Sequence, residues 1–147
     1  MRRIVPIQAG PTAMPFLVTI DDLEWRRVVR DLDRKMTLEM DYAQELGANW
    51  HEAWIWGVRA PRGSHWGFAA FSMDYTPPAL ARVWLVPVMR RRGHLRAVWP
   101  AWRERYGAFT VINPSEAMEA FLALVGYRPA PSVVEGMQSP FWVPRRS

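Results

Sequence analysis

Apolar residues recur every three or four positions between residues 25 and 46 of this chain. A spacing of this kind places them on one face of a helix. Thr19 or Asp21 can cap the helix at its start, and Gly47 can end it. The segment therefore predicts one long helix or two short ones. The predicted apolar face consists of Trp25, Val28, Val29, Leu32, Met36, Met40, Ala43 and Leu46.

Short apolar runs bounded by turn residues predict the strands. A first strand is expected at residues 2–8, and three more at residues 52–59, 66–73 and 79–88. Because the last three follow one another with short turns between them, they form an antiparallel meander. The first and third runs of the meander carry apolar residues on both faces, so we expect helices to cover both sides of the sheet.

The second half of the chain alternates between helix and strand. The pattern predicts a helix over residues 93–106 with Pro100 inside it, and a strand over residues 108–112. Pro114 marks the start of another helix, which ends at Gly126. Two final runs predict a hairpin. They cover residues 132–135 and 138–143, on either side of Gly136. This order predicts one α+β domain over residues 1–147, with a central, mostly antiparallel sheet and helices on both faces.

The composition agrees with one compact domain and excludes several kinds of site. The chain has 147 residues, of which 50% are hydrophobic and 22% are charged, and it contains no Cys. Thiolate catalysis, zinc–thiolate sites and iron–sulfur clusters are therefore excluded. The three histidines have no metal-ligand spacing, so no metal site is expected. The apolar runs are far shorter than the ~20 residues of a membrane span, so we expect a cytoplasmic protein.

Charge is distributed unevenly along the chain. Residues 21–45 hold eight acids and five bases, whereas residues 82–105 hold seven arginines and one acid. The net charge is +5. This excess of basic residues has two equally good explanations, a general bias toward arginine and the binding of an anionic ligand. The local concentration predicts a positive site, with a solvated basic face as the alternative.

Three of these arginines lie between a predicted strand and a predicted helix. Arg90, Arg91 and Arg92 are followed by Gly93, where the helix opens. The first backbone N–H groups of a helix have no internal partner and carry the positive end of its dipole. A glycine lets an anion approach the backbone closely. The segment therefore predicts a phosphate-binding loop.

At this loop the sequence resembles the GNAT superfamily of N-acyltransferases. The family motif is Arg or Gln, two residues, Gly, one residue, then Gly or Ala, and Arg90 and Gly93 fit it. Leu85 and Pro87 match the end of the strand that precedes the motif. Downstream, Asn113 and a helix ending in Gly-Tyr resemble the family's strand, Asn and helix ending in Gly-Phe. The likeness extends over most of the chain.

The resemblance implies an acyl-CoA, most simply acetyl-CoA, between two strands that splay apart. Pantetheine would lie against the backbone of residues 86–88, the diphosphate on residues 90–95, and the thiol end near Asn113. A backbone N–H at a strand bulge near Val86 would donate a hydrogen bond to the thioester oxygen. The implied cofactor-binding residues are Val86, Val88, Arg90, Arg91, Arg92, Gly93, His94, Leu95 and Asn113.

Acyl transfer to an amine also needs a group that accepts the amine's proton. The sequence offers Asp74 and Glu52 as candidates, although a turn position and a solvated loop position explain them as well. The chain also departs from the family pattern. Leu95 stands where the motif has Gly or Ala, and Leu122 stands where many members have a Tyr that protonates the leaving thiolate.

These departures leave a second hypothesis, a catalytically silent GNAT-like protein that binds other proteins. The chain is similar to small GNAT-like proteins of tailed phages, some of which are internal virion proteins. Under this second hypothesis the protein would be located in the virion. Nine tryptophans are an unusually large number for this length, and Trp50, Trp66 and Trp142 are the candidates for an exposed patch. Nucleic-acid binding is the third candidate, since basic residues interleaved with Trp99, Trp102 and Tyr106 could bind phosphates and stack bases. The spacing of Trp99 and Trp102 is more typical of a core-facing helix, which makes nucleic acid the less favoured partner.

Overall fold

Seven strands and three helices make up the part of the chain that the computed structural model describes, residues 13–132, 136 and 139–145. The strands are β1 (Phe16–Thr19), β2 (Glu52–Gly57), β3 (His65–Ser72), β4 (Ala79–Leu85), β5 (Thr110–Ile112), β6 (Tyr127–Pro129) and β7 (Phe141–Pro144). The helices are α1 (Leu23–Met40), α2 (His94–Tyr106) and α3 (Glu116–Leu124), and a short 3-10 helix covers Pro87–Met89. The strand predicted at residues 2–8 lies outside the described residues, as does most of the one predicted at residues 132–135.

The strands form one sheet in the order β1-β2-β3-β4-β5-β7-β6. Every neighbouring pair is antiparallel except β4 and β5, which are parallel. A parallel pair needs a crossover connection, and α2 provides it. One core cluster joins α1 to one face of the sheet, and a second joins α2 and α3 to the other face. The predicted α+β architecture, with helices on both faces, is confirmed.

Helix α1 starts later and ends earlier than the sequence predicts. Asp22 caps it, accepting hydrogen bonds from the backbone N–H groups of Glu24 and Trp25. Thr19 belongs instead to β1, a four-residue strand too short for its alternation to stand out. The helix ends at Asp41, whose φ of 54° is left-handed. The residues between α1 and β2 form a loop that nevertheless buries Leu46.

The tryptophans are packing residues. Trp50 is 1% exposed, so its assignment to an exposed patch is wrong, and Trp66 and Trp142 are partly buried. Trp99 and Trp102 lie in the α2-side core, where they contact each other at a ring separation of 5.7 Å. No tryptophan of the chain is fully exposed, and all nine belong to the described residues. Of the three tryptophans predicted for an exposed patch, Trp66 and Trp142 thus keep part of their surface accessible, and Trp50 does not.

None of the helices that the structure describes has the length and apolar character needed to cross a membrane.

Pro100 lies inside α2, on its exposed side. An interior proline removes one helical hydrogen bond, here to the carbonyl of Arg96, and crowds that carbonyl. We expect Pro100→Ala to raise the free energy of unfolding by about 1–3 kcal/mol, measured by urea denaturation. Glu104→Ala, at another exposed position of α2, should change it by less than about 0.5 kcal/mol. Unchanged or lower stability in Pro100→Ala would show that α2 packs correctly only with the proline in place.

Candidate functional site

A β-bulge interrupts the middle of β4. Ala70 pairs with Arg82 and Phe71 pairs with Leu80, so Ala81 is an extra residue with no opposite partner in β3. An extra residue on one strand bends that strand and increases its local twist. The bulge therefore changes the direction of β4 at Ala81.

The parallel pairing between β4 and β5 ends at this bulge. It covers only Ala79 with Thr110 and Leu80 with Val111. On its other edge β5 pairs with β7 through both Val111 and Ile112, so Ile112 has a partner in β7 and none in β4. A gap, here called the wedge, thus opens between β4 and β5 from residues 81 and 112 onward.

The wedge contains a cavity of about 300 Å³. Its walls come from both strands, from the turn that follows β5, from α1 and from the loop after α1. Most lining side chains are apolar, as is usual for small-molecule sites. The lining residues are Met36, Tyr42, Leu46, Leu80, Ala81, Arg82, Val83, Val111, Ile112, Asn113, Pro114, Ser115 and Met118.

Arg82 is the charged residue of this lining, and it is held by a buried ion pair. Its Nη1 lies 2.6 Å from Oδ1 of Asp33, and the side chains are 14% and 3% exposed. The other carboxylate oxygen of Asp33 accepts a hydrogen bond from the backbone N–H of Leu46 at 2.7 Å. The pair therefore fixes the loop after α1 against β4, where this loop forms one wall of the wedge.

A second carboxylate of α1 pairs with the arginine of the predicted motif. Glu39 accepts hydrogen bonds from both Nη atoms of Arg90 and from the indole N–H of Trp84. These bonds, first of all those from Arg90, hold the pKa of Glu39 below its usual value. Arg90 also donates through Nε to the carbonyl of Leu85. The acidic and basic segments of the sequence thus meet in the fold, and part of the predicted positive charge is neutralised.

Three further arginines of the basic segment lie at or near the start of α2. The segment of residues 90–95, here called the arginine loop, follows the 3-10 helix at the end of β4. Arg91, Arg92 and Arg96 are exposed. Gly93 is the N-cap residue, and no side chain among the described residues caps the helix. A Cβ at Gly93, whose φ is 81°, would meet nothing within 4 Å. The first N–H groups of α2 are therefore open to an anion, and this geometry fits a diphosphate.

The other residues of this region that the sequence predicts to bind the cofactor are exposed or take part in contacts within the fold. Leu95 packs against the α2-side core, and His94 is buried with its ring 4.7 Å from that of Trp66. Val88 is exposed, on the 3-10 helix. The backbone N–H of Val86 donates to the carbonyl of Trp66 at 2.8 Å. The predicted bulge near Val86 is therefore wrong, because the bulge lies at Ala81.

Burial of His94 makes stability depend on pH. Burial lowers the pKa of His94, and the nearby charge of Arg92 lowers it further. Between this lowered value and the ordinary value of 6.5, the unfolded chain binds more protons than the folded chain. Stability should therefore fall as the pH drops below 6.5.

We expect His94→Asn to flatten this part of the stability curve, measured by urea denaturation between pH 5 and about 7.5. The control is His65→Asn, because the ring of His65 bonds to loop carbonyls at the surface. If the stability of His94→Asn depended on pH as strongly as that of the unaltered protein, His94 would not be the cause of the pH dependence.

Neither candidate base lies in the wedge. Both carboxylate oxygens of Glu52 are bound by Arg105, and one also accepts the hydroxyl of Tyr106 at 2.7 Å. The bonds from Arg105 outweigh burial and hold the pKa of Glu52 below its usual value. Asp74 lies in the turn between β3 and β4, with its carboxylate 3.7 Å from His51. That turn precedes the paired start of β4, so it lies at the closed end of the wedge.

Asn113 is the predicted site residue that the structure does place in the wedge lining. It is exposed, with a left-handed φ of 46°, and its backbone N–H donates to the carbonyl of Pro140 at 2.6 Å. Leu122, where many family members have a proton-donating Tyr, is fully buried in the α2-side core. Tyr42 instead brings a phenol to the wedge from the loop after α1.

No group of three or more His, Asp or Glu side chains within the described residues is arranged to hold a metal ion.

Comparison with solved structures identifies the architecture. Tetrahymena GCN5 superposes with a TM-score of 0.65 at 8% identity, covering 90% of this chain and 95% of that one. A protein from Lactobacillus plantarum that is assigned as an N-acetyltransferase superposes with a TM-score of 0.62 at 12% identity, covering 89% of this chain and 96% of the other.

The chain has the GNAT fold. The fold expected from the arginine loop and the element order is thereby confirmed. No family model matches the sequence, and no curated protein matches it. Because the structural matches share so little sequence with this chain, they establish the fold alone.

Proposed function

We propose that this GNAT domain binds an acyl-CoA, acetyl-CoA being the first to test, and transfers the acyl group to an amine. The observation that carries the proposal is the wedge, an apolar gap in the sheet that opens beside an uncapped helix N-terminus. The strand β4 leads from the gap through the short 3-10 helix into the arginine loop. One extended ligand with an anionic end can therefore contact both.

The arginine loop would hold the diphosphate. The N–H groups at the start of α2 would donate to its oxygens, and Arg91 and Arg92 would neutralise its charge. Leu95 packs against the core, so the departure from the motif at this position does not place a bulky side chain on the anion. Arg90 acts differently, because its bonds to Glu39 and Leu85 fix the loop to α1 and β4.

The wedge would hold the thioester end and the acceptor. Acyl-CoA supplies an activated carbonyl; the amine, after losing one proton, forms the new C–N bond as the C–S bond breaks. The sulfur takes up a proton, and the nitrogen loses its second one to solvent. Apolar walls such as Val83, Val111 and Met118 limit competing attack by water. Ala81 is the bulged residue of β4, and its backbone N–H would donate to the carbonyl oxygen of the thioester.

A larger side chain at the bulge tests this placement. We expect Ala81→Phe to abolish binding of acetyl-CoA in a calorimetric titration, because the ring would fill the opening of the wedge. Ala123→Phe, on the exposed side of α3, is the matched control and should bind like the unaltered protein. Thermal denaturation of both variants shows that they are folded. Equal binding by Ala81→Phe and the unaltered protein would place the ligand outside the wedge.

The titration also separates this proposal from the catalytically silent protein of the second hypothesis. A scaffold that binds other proteins would give no heat with acetyl-CoA or with desulfo-CoA at millimolar concentration.

A further inference from the structure

The wedge lining contains no acidic residue, and Arg82 is its charged residue. Asp33 of α1 is paired with Arg82, and Glu39 of α1 is paired with Arg90 and Trp84. The lining therefore offers no carboxylate to an acceptor that carries several positive charges, such as a basic peptide or a polyamine.

Arg82 keeps unused hydrogen-bond donors. Its Nη1 donates to Asp33 and to the hydroxyl of Thr37, and its Nη2 donates to the carbonyl of Gln44 at 2.7 Å. A guanidinium has five N–H donors, so the Nε–H and one Nη2–H remain without an acceptor among the described residues. Two such donors on a planar group are suited to a carboxylate.

The surroundings of Arg82 hold the guanidinium in place. Asp33 is almost fully buried, and its second oxygen is occupied by Leu46, so the carboxylate cannot turn away. The ring of Tyr42 lies against the guanidinium, with 4.8 Å between the ring centre and Cζ. Arg82 and Tyr42 both belong to the lining of the wedge. A fixed guanidinium loses little entropy when it binds an anion.

We propose that the acceptor is a small amine that carries a carboxylate and an apolar side chain, as an apolar α-amino acid does, and that Arg82 binds the carboxylate. This inference rests on the proposed acyl transfer. The cavity of about 300 Å³ has room for a small molecule, and Met36, Leu46 and Met118 would surround the apolar side chain.

Three amines with the same branched side chain test the proposal: leucine, leucinamide and 3-methylbutylamine. The first has a carboxylate, the second a neutral amide, and the third neither. Thiol release from acetyl-CoA gives kcat/KM for each, and calorimetry gives the affinity of each for the protein without cofactor. We expect leucine to exceed the other two by about ten- to hundredfold in both measurements, the usual effect of a charge-assisted hydrogen bond.

The variant for this test removes both charges of the buried pair. Asp33→Asn combined with Arg82→Met leaves no unpaired buried charge, and the amide oxygen can still accept from Leu46. We expect it to bind leucine, leucinamide and 3-methylbutylamine with similar affinity. Arg34→Met is the control, because Arg34 pairs with Glu45 at the surface, and it should keep the preference.

The outcomes separate this proposal from the one on which it rests. Acetyl-CoA binding and thiol release without a preference for leucine would overturn the acceptor class and leave the acyl transfer standing. Selective binding of leucine without thiol release would support the carboxylate site and count against the acyl transfer. Equal binding of the three amines, binding of none, or an unchanged preference in the double variant would overturn the role of Arg82.

Discussion

Replacing Arg82 by Met on its own should lower the free energy of unfolding by about 3–5 kcal/mol, measured by urea denaturation at neutral pH. The substitution leaves the carboxylate of Asp33 buried, at 3% exposure, without its counter-ion. The bond from Leu46 remains, but one neutral N–H does not compensate for the lost guanidinium. The bonds to Thr37 and Gln44 are lost as well.

Two controls distinguish an unpaired buried charge from a simple loss of contacts. The double variant Asp33→Asn, Arg82→Met should recover most of the lost stability, because replacing a buried ion pair by neutral groups is often close to neutral. Arg34→Met removes an exposed pair and should cost less than about 1 kcal/mol. Equal destabilisation by the single and double variants would show that burial of the charge is not the cause.

Reversing two charges of the arginine loop should have the largest effect on ligand binding. We expect Arg91→Glu combined with Arg92→Glu to weaken the binding of acetyl-CoA at least about a hundredfold in a calorimetric titration. Both side chains are exposed at the uncapped start of α2, where the new carboxylates would compete with the diphosphate for the same N–H groups.

The matched control changes the net charge by the same amount on another element. Arg27→Glu combined with Arg30→Glu alters two exposed positions of α1. This variant should change the affinity by less than about threefold at 0.15 M salt, where charges more than about 8 Å apart are largely screened. Similar losses in both double variants would mean that binding responds to net charge, without a diphosphate site on the arginine loop.

The sequence predicts most of the fold because local signals mark most elements. The apolar runs of the meander, the glycine at the start of α2 and the helix after β5 are each visible in a short window of residues. Strand β1 was missed because four residues are too few to show an alternation. The end of α1 was missed because Leu46 continues the apolar spacing, although it is buried from a loop and held there by Asp33.

The candidate site was predictable only in part. The residues that mark a helix N-terminus are adjacent in the sequence, so Arg91, Arg92 and Gly93 were enough to predict the arginine loop. The wedge depends on the pairing of β4 with two different strands, and no local pattern indicates that Ala81 is the bulged residue. Arg82 did give a signal, as a single charge within an apolar strand. Such a residue needs a buried partner, but the sequence does not show that the partner is Asp33.

Amide hydrogen exchange, measured with and without desulfo-CoA, tests most directly whether the wedge and the arginine loop form one acyl-CoA site. A single site should slow exchange in two segments, residues 81–85 of β4 and residues 93–97 at the start of α2. Exchange in β1 and in residues 58–64 should not change. Slower exchange confined to other segments, or no change at saturating desulfo-CoA, would rule out a shared site.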